Sequence, residues 1–254
     1  MPRYSRRAFL HRAAVAGIAS ITIAGTKSSG KVLGANDAIR VGVAGIRGRG
    51  GDHIGEYMKM PGVQVTHLID PDRRLFDRRV RKIKAAAGNT PKCVQDVRQA
   101  LEDKQLDAIS IATCNHWHAL ISIWACQAGK DVYVEKPCSH NVSEGRKCVE
   151  AARKYKRLVQ HGTQQRSGEA WKTARDIAAG KFGKLLVIRG GSYRIRSSIG
   201  FAQPKDPPAE LDYNLWLGPA PMQPYHENLV HYKWHWFWDT GNGDIGNNGV
   251  HAMD

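Results

Sequence analysis

The chain has 254 residues, of which 42% are hydrophobic and 24% are charged, an ordinary composition for a soluble globular protein of one large or two modest domains. The formal net charge is +15, but six of the 38 basic residues fall within the first 35 positions and the others are scattered. This scatter argues against nucleic acid as a partner. The five cysteines are odd in number and include no C-x-x-C pair, so we expect neither a disulfide framework nor a metal site.

Residues 1–35 are predicted to be a signal peptide of the twin-arginine type. The segment from Ser5 to Leu10 reads SRRAFL, and the segment from Ala13 to Gly25 is weakly apolar but too short to span a bilayer. Cleavage is expected near Ala35. The twin-arginine route carries folded cargo, which suits an enzyme that takes up its cofactor before export. We therefore expect a periplasmic or cell-envelope protein with no stable membrane anchor after cleavage.

A strand, a glycine turn, a helix and a second strand follow in that order. The strand covers Ile39–Ala44, the turn Gly45–Gly51, the helix Asp52–Met60 and the next strand Val63–Ile69. This is the layout of a dinucleotide site, in which glycines admit a pyrophosphate to a helix N-terminus.

The glycine turn departs from the G-x-G-x-x-G pattern at its second position. With Gly45 as the first glycine and Gly50 as the third, the second falls on Arg47, while Gly48 stands one place later. Either the turn is rebuilt around Gly48 or the approach of the phosphates is altered. All four residues are candidate cofactor contacts.

Asp70 ends the second strand and is the candidate ligand of the adenosine ribose. Its carboxylate would repel a 2′-phosphate, so it favours NAD. Arg73 and Arg74 stand nearby and leave NADP open.

Helices and strands continue to alternate over residues 93–134. The pattern predicts a helix, a strand, a helix and a strand, over Cys93–Leu101, Leu106–Ala112, Trp117–Ala128 and Asp131–Val134. Strands that alternate with helices in this way form a doubly wound parallel sheet. The fold class is therefore α/β, with a Rossmann domain over residues 37–160.

Polar residues follow two of these strands, where ligands of parallel sheets bind. Thr113-Cys-Asn-His-Trp-His118 and Glu135-Lys-Pro137, together with the glycine turn and the segment GNGDIGNNGVHAMD from Gly241 to Asp254, resemble the Gfo/Idh/MocA oxidoreductases. The resemblance is closest to the exported branch of these sugar and polyol dehydrogenases. It implies hydride transfer between NAD(P) and a hydroxylated substrate such as a carbohydrate or polyol.

The resemblance also assigns catalytic roles. Lys136 would stand beside the nicotinamide and bond the reacting hydroxyl, Pro137 would turn the chain, and Glu135 would hold Lys136 or modulate its proton affinity. His251 matches the family's catalytic histidine, but Asn247 replaces the aspartate four places earlier and cannot titrate. His251, assisted by Lys136, would then have to accept and donate the proton.

Several further residues carry open alternatives. Asp244 either supplies the missing negative charge or caps its helix. His116 is expected to face the nicotinamide cleft with Thr113, whereas His118 is expected to pack. Gln164 and Arg166 are candidate substrate contacts, against ordinary loop hydrogen bonding.

Residues 161–254 are predicted to begin an α+β substrate and oligomerisation domain that this chain carries only in part. It starts with a helix over Trp171–Ala179 and a strand over Leu185–Arg194, followed by a Pro-rich loop. The alternating tryptophans Trp234, Trp236 and Trp238 either stack on a sugar ring or pack a half-buried strand or loop.

The resemblance implies that the full-length form is a homo-oligomer. Two alternatives to a dehydrogenase stay open. One is an NAD-dependent glycoside hydrolase of the same fold, although the Tyr-Pro-Thr-His type motif of that branch is missing from the sequence. The other is a relative that binds a dinucleotide without turnover, because Arg47 and Asn247 both depart from the family pattern.

Overall fold

One parallel β-sheet organises the first part of the chain. The computed structural model describes residues 38–191 and 195–253, so the predicted signal peptide lies outside the described residues. Six strands pair in the order β3-β2-β1-β4-β5-β6, which is the order of the Rossmann fold and confirms the predicted fold class. They are β1 (Ile39–Ala44), β2 (Val63–Ile69), β3 (Lys92–Val94), β4 (Ala108–Ile111), β5 (Asp131–Glu135) and β6 (Val159–Gly162).

Helices cover both faces of this sheet. The covering helices are α1 (Arg49–Tyr57), α2 (Phe76–Ala87), α3 (Val97–Leu101), α4 (Asn115–Gln127) and α5 (Val142–Tyr155). Three more helices follow the sheet in the chain: α6 (Glu169–Ala178), α7 (Tyr213–Leu217) and α8 (Val250–Met253). One core cluster joins α1 and α2 to the sheet through Ile54 and Ile83, and another joins α3, α4 and α5 through residues such as Ile121. Each fully buried aliphatic side chain stabilises the fold by about 2 kcal/mol, so the sheet is held from both sides. Every helix in the described ranges is too short or too polar to span a lipid bilayer.

The structure corrects the predicted helix Cys93–Leu101. Its first part is strand β3, which pairs with β2 through Leu68 and Cys93, and α3 begins after Asp96. The Asp96 side chain accepts a hydrogen bond from the backbone N–H of Arg98 and so caps α3. A three-residue strand is too short to show a period of its own, so its state depends on the neighbouring strand.

The predicted strand Leu185–Arg194 is also wrong in the part that the structure describes. Residues 185–191 have no regular secondary structure, and residues 192–194 lie outside the described ranges. Leu186, Val187 and Ile188 are largely exposed. An apolar segment forms a strand only against a partner, and no strand pairs with residues 185–191 in the described part of the chain.

Residues after 210 fold back onto the carboxyl edge of the sheet. A third core cluster contains Leu211, Trp216, Leu229 and Trp234. Trp234 lies in a 3-10 helix, Lys233–Trp236, and not in a strand. Trp238 is 93% exposed, so the three alternating tryptophans do not share one environment. The folded-back segment forms a second wall facing the ends of the strands.

Candidate active site

The turn after β1 needs glycine at two of its positions. Gly45 has a φ of +80°, and a Cβ there would lie 2.5 Å from the carbonyl oxygen of Ala112. A Cβ on Gly50 would lie 2.0 Å from the carbonyl oxygen of Gly45. A Cβ on Gly48 would meet no described atom within 4 Å. Gly45 and Gly50 therefore shape the turn, and Gly48 borders the open space in front of helix α1.

Asp70 braces this turn from the end of β2. Its Oδ2 accepts a hydrogen bond from the backbone N–H of Ile46 at 3.0 Å, and its Oδ1 accepts one from that of Asp72 at 3.0 Å. Burial raises the pKa of Asp70 to about 6, although both hydrogen bonds oppose that rise. The carboxyl group joins two loops and also faces the cavity described next.

A cavity of about 580 Å³ lies beyond the carboxyl ends of the strands. One wall is formed by the turn and by the ends of β2, β4 and β5, and the other by the folded-back segment, including Trp216 and His235. Most of the predicted site residues line it: Gly45, Arg47, Gly48, Asp70, Thr113, Glu135, Lys136, Gln164, Asn247 and His251. A cavity of this size at this edge suits a ligand as long as a dinucleotide.

Glu135 accepts hydrogen bonds from four donors at the end of β5. Its Oε1 accepts from Arg49 Nε at 2.9 Å, from His53 Nε2 at 2.9 Å and from Gln164 Nε2 at 2.5 Å. Its Oε2 accepts from the backbone N–H of Lys136. Burial disfavours the carboxylate, but these donors outweigh it and lower the pKa of Glu135 to about 2.

Lys136 reaches across the cavity to the second wall. Its Nζ donates to the backbone oxygen of Asn247 and, at 3.0 Å, to the Oδ1 of the same residue. Asn247, rather than Glu135, therefore holds the ammonium in place, which corrects that part of the expectation for Glu135. Burial lowers the pKa of Lys136, and the Glu135 charge opposes this effect. The Lys136–Pro137 peptide bond is cis.

The segment that carries Asn247 is a π-helix over Ile245–Gly249, and α8 follows it. Asp244 precedes the π-helix but makes no side-chain cap to it. Its carboxylate instead accepts two hydrogen bonds from Arg196, at 2.9 and 2.7 Å, and one from the side chain of Asn248. Of the two alternatives for Asp244, the helix cap is therefore wrong.

Three predicted residues lie outside the cavity lining: Gly50, which is buried in the glycine turn, His116 and Arg166. His116 is 3% exposed, and its ring nitrogens contact the carbonyl oxygens of Thr240 and Trp216, each at 3.2 Å. It ties α4 to the second wall and does not face the cleft. Burial lowers its pKa to about 4, although the contacts with these two carbonyl oxygens oppose that shift. Arg166 is exposed and lies outside the lining.

His118 borders the cavity instead of His116, although it is 1% exposed. Its ring contacts the carbonyl oxygens of Pro137 at 2.6 Å and Thr113 at 3.1 Å, so it packs between the ends of β4 and β5. The helical register of α4 decides which of the two histidines points toward the sheet edge.

Two residues that contact Glu135 were not predicted from the sequence. Arg49 and His53 lie four positions apart on α1, and both contact the Glu135 carboxylate. The His53 Nδ1 also lies 2.9 Å from the hydroxyl of Ser110 on β4. Their i, i+4 spacing next to a glycine turn was the available signal, because such residues share one helix face.

Two family models match the chain. Residues 39–163 match an oxidoreductase family with an NAD-binding Rossmann fold, and residues 197–254 match the C-terminal alpha/beta domain of the same family. Together they cover more than half of the sequence. The chain belongs to the Gfo/Idh/MocA oxidoreductase family. The expected family and the expected NAD-binding fold are thereby confirmed.

Curated relatives of this Gfo/Idh/MocA chain include two kinds of enzyme. An inositol 2-dehydrogenase of Leifsonia xyli is 30% identical over 60% of this chain and 44% of its own length. A glycosyl hydrolase family 109 protein of Saccharopolyspora erythraea is 26% identical over 74% of this chain and 45% of its own length. The chain thus spans less than half the length of these relatives.

The fold is also found in a solved relative. The crystal structure of scyllo-inositol dehydrogenase from Lactobacillus casei, with bound NAD(H) and scyllo-inositol, has a TM-score of 0.53 and 19% sequence identity. The similarity covers 58% of this chain and 43% of that one. At this identity the similarity establishes the shared fold.

Proposed function

We propose that the protein is an NAD(P)-dependent oxidoreductase that oxidises a CH–OH group of a polyol or sugar. The observation that carries the proposal is the position of Lys136 Nζ, held by Asn247 in the same cavity as the glycine turn and Asp70. A cation beside a dinucleotide turn can stabilise an oxygen that gains negative charge as its carbon is oxidised.

The residues present fit a dinucleotide. The open space at Gly48 and the N-terminus of α1 would admit the pyrophosphate, and Asp70 would accept the ribose hydroxyls. Thr113 follows β4, lines the cavity and would face the nicotinamide. When bound, the nicotinamide ring supplies the hydride acceptor or donor.

The chain's own residues handle the proton. In the oxidative direction Lys136 Nζ bonds the substrate oxygen, and His251 accepts the hydroxyl proton. Asn247 cannot titrate, so its contribution is to hold Nζ at the oxygen. Glu135, kept ionised by its donors, opposes the loss of the positive charge on Lys136.

A polyol or sugar is the proposed substrate class. Support comes from the named inositol dehydrogenase relatives and from two buried tryptophans, Trp216 and Trp234, that border the cavity together with the polar Gln164. Aromatic faces beside hydrogen-bonding groups suit a ring with polar edges and an apolar face. Gln164 is retained as a candidate substrate contact.

A glycoside hydrolase is the second candidate, favoured by the family 109 relatives. Such an enzyme oxidises the sugar transiently, eliminates the aglycone and returns the hydride. Incubation with an aryl glycoside separates the two candidates. Release of the phenol without net accumulation of NADH supports the hydrolase, and NADH accumulation with a polyol supports the dehydrogenase.

The proposal includes the cellular setting. The twin-arginine pattern supports export to the periplasm or cell envelope, and a cofactor retained during export would serve an enzyme separated from cytosolic NAD. Release of NAD(H) or NADP(H) on denaturation of the purified protein is the expected result. We propose a homo-oligomer for the full-length form, which size-exclusion chromatography with light scattering would test.

The test of the proposed function is a comparison of Lys136→Met with an exposed control, Lys59→Met. NADH binding, followed by fluorescence, should change less than about threefold in either variant. Turnover of a polyol should fall by about 10²-fold or more in Lys136→Met alone, because one charge-stabilising donor is lost. If the folded wild-type protein binds neither NADH nor NADPH, or if Lys136→Met turns over normally, the proposal is wrong.

A further inference from the structure

Four arginines surround the loop that follows β2 and the glycine turn beside it. They are Arg47, Arg73, Arg74 and Arg79. A guanidinium is well suited to bind a phosphate through paired N–H groups. Whether one of them can reach a 2′-phosphate depends on what each side chain already binds.

Arg74 is held by a buried carboxylate. Its Nε donates to Asp72 Oδ1 at 2.8 Å and its Nη2 to Asp72 Oδ2 at 2.6 Å. Asp72 is fully buried, and its Oδ2 also lies 2.7 Å from the Nε2 of His231. Removing Arg74 from this cluster would leave a buried negative charge with less compensation.

Arg73 is turned toward the edge of the sheet. Its Nε donates to Gln95 Oε1 at 2.6 Å, and its backbone N–H donates to the Glu210 carbonyl oxygen. Gln95 in turn donates to the Pro71 carbonyl oxygen at 2.7 Å. These bonds keep Arg73 outside the lining of the cavity.

Arg79 holds the backbone of the glycine turn through two carbonyl oxygens. Its Nε donates to the carbonyl oxygen of Ile46 at 2.9 Å, and its Nη2 to that of Arg47 at 2.5 Å. Asp70 holds the N–H of Ile46 at the same time. The backbone of the turn is thus fixed on both sides, and the side chain of Arg47 projects from a rigid base.

Arg47 differs from the other three. Its residue is exposed, it lines the cavity, and its side chain makes no hydrogen bond or ion pair within the described ranges. Burial raises the pKa of Asp70, and the Arg47 charge opposes that rise. Burial likewise lowers the pKa of His231, and the Arg47 charge adds to that effect. Arg47 also lines the cavity together with Asp70 and His231, at the end where the adenosine ribose belongs.

We propose that Arg47 is the specificity-determining residue at the ribose 2′ position, and that it binds a 2′-phosphate, so that the site accepts NADP(H) as well as NAD(H). This inference rests on the proposed function. Asp70 repels a phosphate less than an exposed carboxylate would, because both of its oxygens accept backbone N–H groups. The side chain at the second glycine position thus has a function of its own.

The test measures dissociation constants of NADH and NADPH, and of ADP and 2′,5′-ADP, by calorimetry on the purified protein. We expect wild type to bind the two coenzymes within about tenfold of each other. Arg47→Ala should weaken the binding of NADPH and 2′,5′-ADP by about 10- to 100-fold, because the charged hydrogen bonds to the 2′-phosphate are lost. NADH and ADP should change less than about threefold.

Arg73→Ala is the matched control, since it removes the same charge from a side chain outside the lining, and its NADPH to NADH ratio should stay that of wild type. Arg47→Lys should restore part of the NADPH affinity. An equal loss for both coenzymes in Arg47→Ala would place Arg47 at the pyrophosphate and overturn the inference while leaving the proposed function intact. Dissociation constants of Arg47→Ala for NADH and NADPH that both equal those of wild type would also overturn it. Absence of all nucleotide binding in a folded sample would instead refute the proposed function, and this inference with it.

Discussion

Replacement of Glu135 by glutamine should destabilise the protein substantially. The carboxylate accepts from Arg49, His53, Gln164 and the backbone of Lys136, and its pKa falls from 4.5 to about 2 although burial opposes that fall. A pKa difference of this size corresponds to about 3 kcal/mol of folding free energy at neutral pH. Glutamine at this position is neutral, and its side-chain NH2 would face one of these N–H groups. The loss in free energy of unfolding should therefore approach about 3 kcal/mol.

The assay is urea unfolding at pH 7 followed by circular dichroism, with Glu56→Gln on the exposed face of α1 as the control. A loss of about 3 kcal/mol also predicts a Tm lower by about 6–12 °C for a domain of this size. The control should show no resolvable change, since the Glu56 side chain bonds only the exposed Lys59 among the described residues.

The pH dependence provides the stricter check. A carboxylate whose pKa is lowered on folding stabilises the native state above its unfolded pKa, near 4.5, and this stabilisation is lost as the pH falls toward about 2. The difference between wild type and Glu135→Gln should therefore drop to half or less by pH 3. A difference below 1 kcal/mol at pH 7, or one equal at pH 7 and pH 3, would refute this account of Glu135.

Two further predictions concern the turn and the loop it contacts. Gly50→Ala should lower the free energy of unfolding, measured by chemical denaturation, by about 3 kcal/mol or more, because its Cβ would overlap the Gly45 oxygen. Gly48→Ala should fold normally and weaken nucleotide binding, since its Cβ would meet no described atom. Equal stability of the two variants would contradict the turn geometry. Since burial raises the pKa of Asp70 to about 6, wild type should gain stability relative to Asp70→Asn as the pH falls from about 6 to about 4, and a gain in the opposite direction would contradict it.

Much of the Rossmann half could be predicted from the sequence. The apolar strands, the glycine turn and the terminal Asp70 are local signals, because each depends on residues within a few positions of one another. β3 escaped because three residues carry no readable period, and its state depends on pairing with β2. The predicted strand at Leu185 is wrong because a strand also needs a partner, and the described residues supply none for this apolar segment.

The sequence by itself determined which residue types stand at the ends of β4 and β5, and that Lys136 and Asn247 belong to one family motif. Tertiary structure decided what each of them binds. Lys136 contacts Asn247, 111 positions away, while its neighbour Glu135 binds Arg49 and His53. The reason is physical: a buried charge takes whichever partner the packing brings within hydrogen-bond distance. That proximity is set by how the chain folds back across the sheet edge, which no local pattern records.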